Sequence, residues 1–316
     1  MGYGKDAPVA ITFGIHVGQQ NITIDELRRL WTLADERGFG WLSIWDHFYC
    51  ATDDADPHFE AVALLGALAS ETKNIQLGCM VFATPFRNLG LLAKSAVTID
   101  HLSGGRFELG LGAGWHEPEF TAFNYEFAPP KQRLDMVEEG MQVMRSFLNE
   151  EVTDHHGAYF DFTNAYINPR PVKGTIPLWI GGLGEKRTAR IAAKYADGWN
   201  IPYVGPGAFT HKAGVLREWC EKEGRDPAEV RIATQLGFFM AASDDPEVMR
   251  AADAEMKRKT PHQTPSGQLA GSPAQVAERI AKYQEAGVTA LNIAFRPPVD
   301  WEALEVFVAD VMPQFA

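Results

Sequence analysis

Cysteine is scarce in this chain. Three appear in 316 residues, Cys50, Cys79 and Cys220, far apart and without a CxxC. That spacing excludes a disulfide framework and a thiolate zinc site, and it suits a reducing compartment. Long apolar runs are missing as well. No stretch approaches the roughly 20 apolar residues that a membrane helix needs. The opening MGYGKDAPVA has one lysine and no apolar core of a secretory signal. Basic charge is in deficit: Lys plus Arg is 29 against 41 for Asp plus Glu, a net charge of −12. Neutralising phosphates needs clustered Lys and Arg, so a general nucleic-acid binder is excluded. The expectation is a soluble, cytoplasmic protein that acts on a small molecule.

Several catalytic signatures are also missing. There is no GxSxG, and Cys79 sits in apolar strand sequence, so nucleophilic catalysis has no support. The first strand ends Gly14-Ile15-His16, where metal-dependent barrel hydrolases carry a His-x-His pair, and no catalytic metal is expected. That strand runs into HVGQQN rather than GxGxxG, which speaks against a doubly wound open sheet.

What is present is a strand–helix alternation sustained to the end. Apolar, β-rich strands are predicted at 9–16, 41–45, 75–83, 106–113, 178–181, 198–201, 230–242 and 290–294. Helices fall between them; Leu27, Leu30, Trp31 and Ala34 mark one apolar face, and Leu134, Val137, Met141, Met144 and Leu148 another. Eight such units imply one α/β domain over 1–316, a closed (β/α)8 TIM barrel, with function on the loops after the strands. Two stretches break the rhythm: a hairpin insertion near 151–168, and a polar, partly helical insertion near 243–271 that could serve as a flap. Residues 114–130, with Pro118, Pro129 and Pro130, read as a long functional loop.

The strand ends collect polar, aromatic and glycine-rich groups. They are His16, Asp46-His47, Met80-Val81, Ala113-Gly114 with Trp115-His116, Gly181 to Gly184, and Trp199. An imidazole titrates near neutral pH, so His47 can give or take a proton, and the adjacent Asp46 carboxylate can tune it. The plainer alternative is a histidine that is hydrogen-bonded at a strand end for structure alone. Gly181, Gly182, Leu183 and Gly184 precede a helix opening Glu185-Lys186-Arg187. Backbone N–H groups at such a turn can hold a phosphate, with Arg187 adding positive charge. A tight turn needing glycine is the alternative.

The segments WLSIWDHF (41–48), LGCMVFATPFRN (77–88), TIDHLSGGRFELGLGAGWHEPEF (98–120) and PLWIGGLGEKRTARIAAKYADGWN (177–200) resemble the bacterial luciferase-like oxidoreductases. Within them the similarity is to the branch that uses coenzyme F420, a deazaflavin. The resemblance implies a tricyclic ring in the barrel mouth and a non-proline cis peptide at Met80–Val81 forming a bulge behind it. His47 then matches the family's acid/base, and Gly181, Gly182 and Gly184 match the turn that holds the cofactor phosphate. One departure stands out. The family's sugar-phosphate dehydrogenase has a glutamate where this chain has Trp115. Trp115 points instead to a hydrophobic or aromatic substrate, with His16, His116 and Trp199 as further candidate substrate contacts.

Three functions follow as expectations. The leading one is F420-dependent hydride transfer to or from a small organic substrate. The second is a two-component monooxygenase that takes reduced FMN from a separate reductase and needs a closable lid, a role open to 243–271. The third is a non-catalytic F420 carrier, which would have no use for a proton donor. The resemblance further implies a homodimer, and the apolar, Ala-rich second and third helices could supply its face.

Overall fold

A computed structural model describes residues 9–49, 56–260 and 265–315. The strands and helices run β1 (Thr12–Val17), α1 (Ile24–Glu36), β2 (Trp41–Ile44), α2 (Ala61–Glu71), β3 (Gln76–Ala83), α3 (Leu89–Ser103), β4 (Phe107–Gly112), α4 (Glu117–Ala122) and α5 (Pro130–Asn149). They continue with β5 (Thr153–His156), β6 (Asp161–Ala165), β7 (Leu178–Gly181), α6 (Thr188–Tyr195), β8 (Gly198–Pro202) and α7 (Pro206–Glu223). The last third holds β9 (Arg231–Met240), α8 (Pro246–Lys259), β10 (Gln268–Gly271), α9 (Pro273–Glu285), β11 (Ala290–Phe295) and α10 (Trp301–Val306).

The eight strands β1, β2, β3, β4, β7, β8, β9 and β11 pair in parallel, and the β8–β9 and β11–β1 pairings close the ring. This is the expected barrel. The antiparallel β5–β6 pair forms the hairpin off its side. The stretch 243–271 holds α8 and β10. β9 is ten residues long, and its far end takes β10 as an added parallel strand, Gly237–Met240 against Gln268–Gly271. Helix starts are set by local chemistry. Thr23 caps α1 in a reciprocal box with Glu26, and Ser272 does the same for α9 with Gln275, with Pro273 in the first turn where its missing N–H costs nothing.

Alternation along each strand separates two environments. Outward residues such as Leu109, Leu111, Ile180 and Ile201 join the apolar layer beneath the helices. The inward set is different. A barrel interior is usually filled by branched aliphatic layers, but here Trp41 and Trp179 occupy its lower half, rings 6.1 Å apart. Glycines make room for them: a Cβ on Gly78 would meet Trp41, and one on Gly198 would collide with Trp179. Buried Glu108 accepts from the Trp179 indole and from both Arg231 guanidinium nitrogens, at 3.1 and 2.7 Å, which ties the floor together.

Cys79 and Cys220 are buried free thiols; Cys50 lies outside the described residues. Among the described residues no helix is long and apolar enough to cross a membrane.

Candidate active site

A cavity of about 400 Å³ opens at the carboxyl ends of the strands. Its base is made by β3, β4 and β7. The Met80–Val81 peptide is cis, as the resemblance implies, and the β3–β4 register shifts between Cys79 and Phe82. Met80 and Val81 consequently both line the cavity, where plain alternation would have sent one outward. Val81 spreads over glycines of the neighbouring strands. A Cβ on Gly112 would collide with its Cγ2, and one on Gly181 would lie 3.0 Å from its Cγ1. Ala113, Gly114 and Gly182 continue this flat, side-chain-poor wall. Gly114 (φ 68°) and Gly182 (φ 130°) hold backbone angles that favour glycine.

His47 follows β2 into this space. Its Nδ1 lies 2.8 Å from Oε1 of Glu119, a side chain only 1% exposed. With the carboxylate accepting from Nδ1–H, Nε2 is left as the basic nitrogen. Trp115 stands over the opening, 61% exposed, its ring edge-on to His47 at 5.5 Å between centroids. His16 lines the cavity from β1, the strand next to β2. It is buried, its Nδ1 is 2.8 Å from Ser43 Oγ, and its ring packs on Trp45. Burial, with the Arg296 charge adding to it, pushes the His16 pKa down to about 3, so the ring is neutral at physiological pH.

Several expectations need correction. Asp46 does not orient His47. Its carboxylate is held by Arg87 at 2.7 Å through each oxygen and accepts from the Ala83 N–H at 2.9 Å, so it braces the end of β3. Glu119 takes the place beside His47 instead. Trp199 does not touch the cavity. Inward positions on β8 are 198, 200 and 202, so Trp199 faces the helices, fully buried, and donates from its indole to the Gly182 carbonyl at 2.8 Å. Arg187 is not a free cation, because Asp135 at 2.7 Å and Glu138 at 3.1 Å on α5 engage it. Gly181 and Gly182 line the cavity together with Thr188, whereas Leu183 and Gly184 lie beyond it. The Leu183 carbonyl is taken by Lys212 Nζ at 2.7 Å. Finally, 114–130 is not all loop, since α4 occupies its middle. His116 stands at the residue before that helix, with its ring 6.4 Å from His47 and outside the cavity lining.

Sequence reasoning missed Glu119, Arg87, Gln20 and Arg296 as parts of this site. For Glu119 there was a signal. Glu117-Pro118 is an ordinary helix opening, with proline in the first turn, and it carries Glu119 and Phe120 inward. Gln20 Oε1, Asn200 Oδ1 and Glu119 Oε2 are buried acceptors in this lining without a hydrogen-bond partner. Buried polar atoms normally have one. A flat wall without side chains, bordered by open acceptors, fits a planar ring bearing N–H or O–H donors.

A family model described as luciferase-like monooxygenase matches residues 9–268. The F420-dependent glucose-6-phosphate dehydrogenase of Segniliparus rotundus is 25% identical over 332 aligned positions, covering 96% of this chain and 98% of that one. The pyrimidine monooxygenase RutA of Enterobacter cloacae is 29% identical over 225, covering 68% of this chain and 56% of its own length. Three uncharacterized mycobacterial relatives are 33% identical over 135 residues, and the match spans about half of their length. Among solved structures, an F420-dependent secondary alcohol dehydrogenase superposes with a TM-score of 0.83 at 19% identity, over 97% of this chain and 99% of that one, a likeness of fold.

Proposed function

Because the chain belongs to the luciferase-like monooxygenase family, we propose that it is an oxidoreductase that moves a hydride between coenzyme F420 and a small organic substrate. The observation that carries this reading is the His47–Glu119 pair set beside a wall of glycines and Val81. When bound, the cofactor supplies a ring carbon that accepts or gives a hydride. The remaining work falls to this chain. Met80, Val81, Gly112, Ala113, Gly114, Gly181 and Gly182 would bear the ring, with Thr188 beyond them towards its tail. His47 exchanges the proton at Nε2. In an oxidation it takes the proton from a substrate hydroxyl as the C–H hydride leaves, and in a reduction it returns one. Glu119 fixes the tautomer and stabilises the imidazolium. Trp115 covers the substrate side and limits water.

A monooxygenase that takes reduced FMN is the second reading; the similarity to a pyrimidine monooxygenase favours its reaction class. A silent carrier is disfavoured by a buried carboxylate spent on a histidine. The expected homodimer gains support from Leu91 and Leu102 on α3, which expose 63% and 50% of their surface.

Equilibrium titration with F420 and with FMN, each oxidised and reduced, tests the reading. Turnover is followed by cofactor absorbance on a panel of alcohols and activated alkenes. F420 should bind more tightly than FMN. His47→Ala should keep F420 affinity within about threefold while turnover falls roughly 10²–10⁴-fold, with Glu119→Gln between it and the parent. Undiminished turnover in His47→Ala removes that residue from the mechanism.

A further inference from the structure

Both carboxylates that line the cavity are already committed, Asp46 to Arg87 and Glu119 to His47. The buried His16 adds no charge at neutral pH. Arg296, just past the end of β11, is different. Its side chain lines the same cavity, half-buried, and no carboxylate among the described residues lies within ion-pair distance of it. Its main chain is pinned. Lys259 Nζ, itself 2.9 Å from Glu255, donates to the Arg296 carbonyl and, at 3.2 Å, to that of Pro298. Among the described residues, the cavity of this chain of net charge −12 therefore holds one unneutralised fixed cation. The open acceptors Gln20 Oε1 and Asn200 Oδ1, both buried in the same lining, independently mark the cavity as a place that receives a ligand.

A guanidinium is a planar fork whose two N–H groups match the two oxygens of a carboxylate. In a partly desolvated cavity its preference for an anion is stronger than at the surface. The position also separates two possible anions. The glycine turn expected to receive the cofactor tail follows β7, whereas Arg296 follows β11, with β8 and β9 between them in the ring. We infer that Arg296 reads a carboxylate on the substrate, which makes the substrate class small organic acids whose unsaturated or aromatic body lies against Trp115 and whose reacting atom reaches His47. This rests on the proposed reading of the cavity as the redox site.

Benzoate and benzamide test it, since they share a shape and differ in charge. Their binding to the F420-loaded protein, and to the FMN-loaded and cofactor-free protein, is measured by calorimetry at fixed ionic strength. The parent should prefer benzoate by roughly tenfold, the usual worth of a charge-assisted contact. Arg296→Gln should erase the preference and leave cofactor affinity unchanged, and Arg296→Lys should retain part of it. Circular dichroism checks that both variants fold. Equal binding of the two probes by the parent overturns the inference, as does a preference that survives in Arg296→Gln. A fall in cofactor affinity that accompanies the lost preference assigns the arginine to the cofactor tail and also overturns it. If neither F420 nor FMN binds but the benzoate preference is present and arginine-dependent, the cofactor reading has failed and the anion site stands.

Discussion

His16 should make the fold acid-sensitive in a way a single substitution removes. In the unfolded chain its imidazole titrates near 6.5, and in the folded barrel near 3. Between those values the unfolded state binds a proton that the native state does not, so stability falls as pH falls. The contribution is fully present above the unfolded value and is lost progressively down to the folded one. A gap of about 3.5 units at about 1.36 kcal/mol per unit sets a ceiling of roughly 5 kcal/mol. At about pH 4.5 the loss relative to pH 8 is about 2.7 kcal/mol. His16→Gln keeps a neutral group within hydrogen-bonding reach of Ser43 and does not titrate. Urea unfolding of both proteins at the two pH values gives the comparison, and the difference between their losses isolates this imidazole. His58, lowered to about 4, drops out because it is present in both. The parent should lose about 2.7 kcal/mol more than the variant. Equal losses would show that the ring is protonated in the folded state, and the account of this wall would be wrong. Arg296→Gln should shrink the gap, because that guanidinium is one cause of the depression.

Two further outcomes come from the base of the cavity. Arg87→Met strands the buried Asp46 carboxylate and should cost about 3–5 kcal/mol at neutral pH, read by chemical denaturation; Asp46→Asn in the same chain should return most of it. Gly112→Ala drives a methyl into Val81 on a strand that cannot yield, which should cost about 1–3 kcal/mol and weaken cofactor binding, with both restored in part by Val81→Ala.

The barrel was legible because it is written in periodicity. Eight apolar strands and the amphipathic helices between them need only local pattern, and their bounds shift by up to three residues, as at Thr12 against Val9. The cis peptide was legible only through the resemblance, since no composition marks Met80–Val81. The site was legible as a set of positions and less so as a set of partners. His47 and Gly181 sit where strand ends put them, but Asp46 was paired by adjacency in the chain. Asp46 and His47 both follow the end of β2 into the cavity, but Arg87 and the Ala83 N–H claim the carboxylate, so the nearest carboxylate in sequence is not the partner in space. Trp199 fails by strand parity, which turns Asn200 inward in its stead. Arg187 fails because its two acidic partners come from α5, some fifty residues earlier, a contact no local pattern can announce.

Glu119 reaches His47 from α4, a helix of six residues that belongs to none of the eight repeating units. The acid–base group is therefore assembled from two parts with different mechanical footing: an imidazole built into the barrel, and a counter-charge borne on a short connector. Any lesion that lifts that connector would silence the imidazole while leaving every barrel residue in register. Variation along 114–130 can in this way tune proton transfer without altering the barrel.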